Sequence, residues 1–251
     1  MKHCDRNYHS LYPIGDNMNA VEVLKQEAGI SACKYVKNGM KIGLGTGSTV
    51  KYTIIELGRR IVEENLEIIG VPTSENTKKL AKSLGIPLSN LSEIDKLDLT
   101  IDGADEFDDN YDLIKGGGGA LTREKIVALA SNAMIVVADD RKKVSTLGQF
   151  PLPVEVHISY WENIKENIEK FCFNQVSLRY GSEGPFVTDN GGYILDCNFG
   201  PVISDPYTLE NKIKSIEGVV EVGLFVGICD LVIISSMSGV KVLTKPNGRL
   251  S

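Results

Sequence analysis

From Asn19 onward the chain alternates short apolar runs with stretches whose apolar residues recur at helical spacing. In "NAVEVLKQEAGISACKYV" the residues Val21, Leu24, Ala28 and Ala32 share one helical face, and Gly39 follows as a stop signal. Beyond it "KIGL", "EIIGV", "LDLTI" and "AMIVVA" read as strands, separated by helices over residues 48–64, 74–84 and about 120–131. Strands that are apolar on both faces and alternate with helices build a parallel sheet covered on each side. The fold class is therefore α/β, with a Rossmann-like, mostly parallel sheet.

Pro151 and Pro153 in "FPLPVEV" break this rhythm and mark a domain boundary. After them come the strand "VEVHI", a helix across "YWENIKENIEKF", the strands "VSLRY", "PFVTD" and "GGYILDCNF", a helix across "DPYTLENKIKSI" and the strand "VVEVGLF". That order predicts a second, smaller α+β (ferredoxin-like) domain over residues 151–225, with helices on one face. "DLVIISS" and "VKVLTK" return to the first sheet, so residues 18–150 and 226–251 make the catalytic α/β domain. Residues 1–17 show no periodicity and are expected to be a disordered or loosely docked tail, with Met18 as a natural start.

Composition narrows the function. A formal charge of −6 and a pI near 5.2 supply no global positive field for a nucleic acid. No apolar run approaches the roughly 18 residues that span a bilayer, and the first residues lack the apolar centre of a signal peptide, so a cytoplasmic location is expected. The five cysteines are widely spaced, with no C-x-x-C pair, which fits buried thiols better than a disulfide framework or a zinc site. Of three histidines, His3 and His9 fall in the tail and His157 in an apolar run, where it reads as a hydrogen-bonded strand residue. Histidine catalysis and a histidine-ligated metal are disfavoured, and no metal is expected.

In open parallel sheets, ligands bind beyond the carboxyl ends of the strands. There this chain puts Gly45-Thr46-Gly47-Ser48-Thr49, then Thr73-Ser74-Glu75, then Asp102-Gly103-Ala104-Asp105-Glu106, then Asp139-Asp140-Arg141-Lys142. "GLGTGST" lacks the last glycine of a dinucleotide fingerprint and the lysine of a P-loop. It suits a single phosphate monoester, or else a tight turn whose Ser48 or Thr49 caps the following helix. In "KGGGGALTREK" the four glycines cost ordering entropy, which suggests close approach of backbone to a ligand between Lys115 and Glu124. Alternatively Lys115 is a solvated loop lysine and Glu124 a carboxylate favouring its helix dipole.

Taken together, "GLGTGSTV", "DGADE", "KGGGGALTREKI", "ADD-RK", "FPLPVEV" and "FVTDNGG" resemble the A-type ribose-5-phosphate isomerases, in order and over about residues 18–247. The resemblance implies a two-domain homodimer or homotetramer that interconverts ribose 5-phosphate and ribulose 5-phosphate in the non-oxidative pentose phosphate pathway, with no cofactor and a small sugar phosphate as partner. It implies Glu124 as the proton-transferring base and Asp102, Asp105 and Lys115 as further catalytic groups. It also implies substrate contacts at Thr46, Gly47, Ser48, Thr49, Gly116, Gly117, Gly118 and Lys142, with Lys25 as an added positive charge. Gly119 stands where the family commonly has alanine, which implies a looser glycine loop. Cys229 interrupts a segment usually written Ala-Asp, and residues 1–17 extend past the usual start. Competing readings are a related sugar-phosphate isomerase or deaminase, and a silent sugar-phosphate sensor. The sensor would need a basic helix-turn-helix that residues 1–40 lack.

Overall fold

The computed structural model describes residues 19–172 and 174–250; the expected tail, with His3 and His9, lies outside them. The chain runs α1 (Ala20–Ala32), β1 (Lys41–Leu44), α2 (Val50–Glu63), β2 (Ile69–Pro72), α3 (Glu75–Ser83), β3 (Leu99–Asp102), β4 (Glu106–Phe107), β5 (Leu113–Ile114), α4 (Leu121–Leu129) and β6 (Met134–Asp139). It continues as β7 (Leu152–Val156), α5 (Trp161–Glu169), β8 (Val176–Leu178), β9 (Tyr193–Cys197), α6 (Pro206–Lys214), β10 (Val219–Val222), β11 (Leu224–Phe225), β12 (Leu231–Ser236) and β13 (Gly239–Thr244).

Six strands form one sheet in the order β13-β12-β6-β3-β1-β2, parallel except for the β12–β13 hairpin. The α/β expectation holds. Ile42, Leu44, Ile101, Ile135 and Val137 bury one face against α1 and α2, as a sheet covered by helices requires. Met134, Val136, Ala138, Val232 and Ile234 bury the other against Phe107, Ala128 and Phe225. Because β1 has β2 on one side and β3 on the other, the loops leaving β1 and β3 diverge, which opens a crevice at their carboxyl ends.

β7, β8, β9 and β10 form an antiparallel sheet in the order β10-β7-β9-β8, the ferredoxin-like arrangement, with α5 and α6 packed on it. Two expectations fail here. "PFVTD" forms no strand, making only the isolated bridges Tyr180↔Pro185 and Val187↔Tyr193, because its residues turn back at Asn190-Gly191. His157 lies past the end of β7, exposed, and its Nδ1 accepts the Ser159 N–H at 3.2 Å, so it is a turn residue rather than a strand residue.

A third sheet, β11-β5-β4, was not expected. Its strands are two residues long, too short for alternation to register. Asp108 closes the β4–β5 turn, its Oδ1 accepting the N–H groups of Asn110 (2.9 Å) and Asp112 (3.0 Å). The "VVEVGLF" run is split at Gly223 between β10 and β11. A Cβ at Gly223 would stand 2.3 Å from the Lys115 carbonyl oxygen, so glycine is what lets the two backbones meet.

Candidate active site

The polar groups converge at the crevice between β1 and β3. Asp102 ends β3 with no exposed surface. Its Oδ1 accepts the N–H groups of Thr46 (3.0 Å) and Gly103 (2.7 Å), and its Oδ2 lies 3.1 Å from the Lys115 ammonium. Lys115 follows β5 and is 2 % exposed; its N–H donates to Gly223 O, and its Nζ donates to Gly103 O at 2.5 Å. Glu124, in the first turn of α4 and 4 % exposed, brings Oε2 to 3.4 Å from the same ammonium. Neither Asp102 Oδ2 nor Glu124 Oε2 accepts a well-aligned hydrogen bond among the described residues, so each is held chiefly by the charge of Lys115.

One ammonium thus faces two buried carboxyls. Burial, and then the Asp102 charge, push the Glu124 carboxyl up to about 8, against the pull of Lys115. Burial raises Asp102 as well, opposed by Lys115 and the two backbone donors. Burial alone would lower Lys115, but Asp102 and Glu124 outweigh it, so it is raised and remains charged at neutral pH. The helix-terminus effect that favours an ionised Glu124 loses to desolvation, because Oε2 has almost no exposed surface.

A cleft of about 110 Å³ opens over this cluster. Lys25, Thr46, Gly47, Ser48, Thr49, Gly116, Gly118 and Lys142 all line it, together with Asp105, Lys115 and Glu124. Asp102 stands behind Lys115, and Gly117 is not part of the lining. Neither Ser48 nor Thr49 caps α2 through its side chain, so the helix-capping alternative does not hold. The hydroxyl of Thr46 is already used: it donates to Ser74 Oγ at 2.8 Å and pairs with Thr73 Oγ1 at 2.7 Å, tying the turn to the start of α3. Lys25 is ion-paired to Glu22 at 2.6 Å, so its charge is shared with that carboxylate.

Asp105 Oδ2 accepts the Gly117 N–H at 2.7 Å and so holds the glycine loop against the cleft. That loop is not loosened at Gly119. Its φ is +77°, its N–H donates to Gly116 O at 2.9 Å, and the Phe186 ring fills the space a Cβ would need. Glu106, Asp108 and Asp112 point elsewhere: Glu106 accepts the N–H groups of Gly148 and Phe150, and Asp112 that of Gly227. The acidic stretch is therefore divided, part site and part scaffold.

Residues 69–239 match the family model for ribose 5-phosphate isomerase A (phosphoriboisomerase A). The chain belongs to that family. It is 51 % identical over 219 residues to the ribose-5-phosphate isomerase A of Bacillus mycoides, which spans 87 % of this chain and 98 % of the relative. The ribose 5-phosphate isomerase A structure from Methanocaldococcus jannaschii superposes with a TM-score of 0.85 at 44 % identity, over 89 % of this chain and 99 % of that one. A D-ribose-5-phosphate isomerase in complex with phospho-erythronic acid superposes at 0.86 and 43 % identity, over 90 % and 100 %. The chain is an isomerase of this family.

Gly103, Ala104 and Asp139, which the strand-end rule placed at this rim without assigning them a contact, also line the cleft of this isomerase. Asp139 ends β6 there and is hydrogen-bonded by Arg141 through Nε (2.7 Å) and Nη2 (3.0 Å). That pairing outweighs burial and holds its carboxyl below the usual range. Gly223 left a fainter signal, a glycine inside a strand pattern. Among the described residues no group of three or more His, Cys, Asp or Glu is arranged to hold a metal ion, and no helix is long and apolar enough to cross a membrane.

Proposed function

We propose that this chain interconverts D-ribose 5-phosphate and D-ribulose 5-phosphate through an enediolate, with Glu124 as the base. The observation that carries the reading is the Glu124 carboxyl on the cleft wall, buried beside a fixed ammonium and raised to about 8. A base poised near the working pH can take a carbon-bound proton, keep it, and return it. Glu124 takes the proton from C2 of the open-chain aldose, and the electron pair becomes the C1–C2 double bond as charge moves to O1. Lys115 and the N–H groups of the glycine loop face that charge. The proton held by Glu124 then goes to C1 while the O2 hydroxyl proton passes to O1, so that C1 becomes a hydroxymethyl group and the carbonyl stands at C2. A phosphorylated sugar acid, the ligand named for the 43 % identical relative, offers the planar anion such a site accepts.

The two aspartates divide the remaining work in this reading. Asp102 is sealed behind Lys115 and serves to hold that ammonium and to raise Glu124. Asp105, on the cleft, is placed to move the ring-hydroxyl proton as the furanose opens. Ser48, Thr49, the N–H groups of the 47–49 turn and Lys142 take the phosphate, whose binding aligns the reacting carbons. We take residues 18–150 and 226–251 as the catalytic domain and 151–225 as the smaller one: the six-stranded sheet falls in the first range and the four-stranded sheet in the second, while β11, at the end of the second, pairs with β5 of the first. The enzyme is taken as a cytoplasmic homodimer or homotetramer, on the family's account alone.

The test is a coupled assay on protein treated exhaustively with EDTA. Undiminished interconversion of the two pentose phosphates is expected, since Lys115 supplies the positive charge at O1; no turnover with this pair, before or after EDTA, rejects the reading. Separately, Ser48→Ala and Lys142→Ala are expected to raise KM severalfold with a smaller effect on kcat. An unchanged KM in both removes the phosphate assignment.

A further inference from the structure

Glu155 is a carboxylate on the face of β7 opposite Leu152, Val154 and Val156, and that face is buried as well. It lies in β7, an interior strand of the antiparallel sheet, with all five strand residues buried and Glu155 itself at 0 % exposure. Among the described residues it has no ion pair, and a buried charge without a counter-ion is costly unless donors surround it. Three donors do. Thr122 Oγ1 donates to Oε2, while Thr188 Oγ1 (2.6 Å) and Asn190 Nδ2 (3.4 Å) donate to Oε1.

Thr122 stands two positions before Glu124 in the first turn of α4. At 100° per residue these side chains leave the helix on nearly opposite sides, so a grip on Thr122 fixes the rotation that aims Glu124 at the cleft. The neighbouring positions are tied as well. Arg123 Nε donates to Asn190 Oδ1 (2.9 Å) and its Nη2 to Asp189 O (2.9 Å). Lys125, 2 % exposed, donates to Glu210 (2.7 Å), Glu221 (2.8 Å) and Val222 O (2.6 Å). Glu124 is flanked on both sides by anchored residues, yet its own Oε2 has no hydrogen bond among the described residues.

We propose that Glu155 is a positioning residue for proton transfer: through Thr122 it holds the first turn of α4 so that the Glu124 carboxyl stays beside Lys115 and over the reacting carbons. The inference rests on the assignment of Glu124 as base. Glu155→Gln keeps the size of the side chain but puts an amide where two hydroxyls and an amide now donate. Since a displacement of about 1 Å can cost on the order of 10²-fold, kcat should fall about 10- to 100-fold with KM within about twofold of wild type. The pH midpoint of kcat/KM should shift as the Glu124 surroundings change.

Thr122→Val should reproduce the kcat loss and the shifted midpoint, and Thr122→Ser should restore both, which keeps the test open if Glu155→Gln does not fold. Combining Glu155→Gln with Thr122→Val should cost little more than either alone. Wild-type kcat and pH midpoint in Thr122→Val, even with a lowered Tm, overturn the proposal and leave Glu155 a structural residue. Failure of the base assignment would show separately, as full activity in Glu124→Gln.

Discussion

Glu124→Gln is expected to lower kcat by about 10²- to 10⁴-fold while leaving KM near the wild-type value, the range seen when a general base is removed. The amide matches the carboxyl in shape and cannot accept the carbon-bound proton, so binding survives and transfer does not. In the wild type, kcat/KM should rise with pH through about 8, because Glu124 must be ionised to act and burial beside Asp102 places its titration there. The glutamine variant should lose that limb from its residual activity. A variant that turns over at the wild-type rate would show that the proton leaves the sugar by another route.

Stability should move in the opposite sense with pH. Glu124 titrates near 8 in the folded chain against an ordinary value of 4.5, so between these values the folded state keeps a proton that the unfolded state releases. Its contribution is therefore intact below about 4.5 and is lost as pH rises toward 8 and beyond. Melting curves of Glu124→Gln and wild type should diverge in the variant's favour from pH 5 to pH 9.

Lys115→Met is expected to have the largest effect on the fold. Among the described residues it removes the only ammonium paired with Asp102 Oδ2 and Glu124 Oε2, leaving two buried carboxyls uncompensated, and losing one partner of a buried pair costs about 3 to 5 kcal/mol. The loss should be larger at pH 9 than at pH 5, since near pH 5 the carboxyls can escape the penalty by holding protons. Activity should fall at both, because no cation remains to meet the enediolate charge. Denaturant unfolding at the two pH values measures the difference; an equal loss at both would mean that Lys115 acts through packing alone, for instance against Phe225, 5.5 Å from its Nζ.

The parallel sheet was legible because β1, β3 and β6 are apolar on both faces and end in polar turns, a pattern local to each strand. The ferredoxin-like unit was legible from the order of its strands and helices, apart from "PFVTD", where β-type residues turn back instead of pairing. The β11-β5-β4 sheet was not, since two-residue strands leave no period to read. At the site, the strand-end rule gathered Asp102, Lys142 and the 45–49 turn on one rim. What the rule missed was the division of labour: Thr46 spends its hydroxyl on Ser74 and Thr73, and Lys25 is shared with Glu22.

By itself the sequence determined the helices and the strands of the six- and four-stranded sheets, the rim on which the polar loops emerge, and the residue types available there. Those follow from periodicity and turn chemistry, which act over a few neighbouring positions. Only the tertiary structure decided that Glu124 is a raised carboxyl rather than an ionised helix-end glutamate, that Lys115 is sealed rather than solvated, and that α4 is gripped from β7. These depend on burial and on charges brought together from distant positions, and desolvation has no signature in a linear chain.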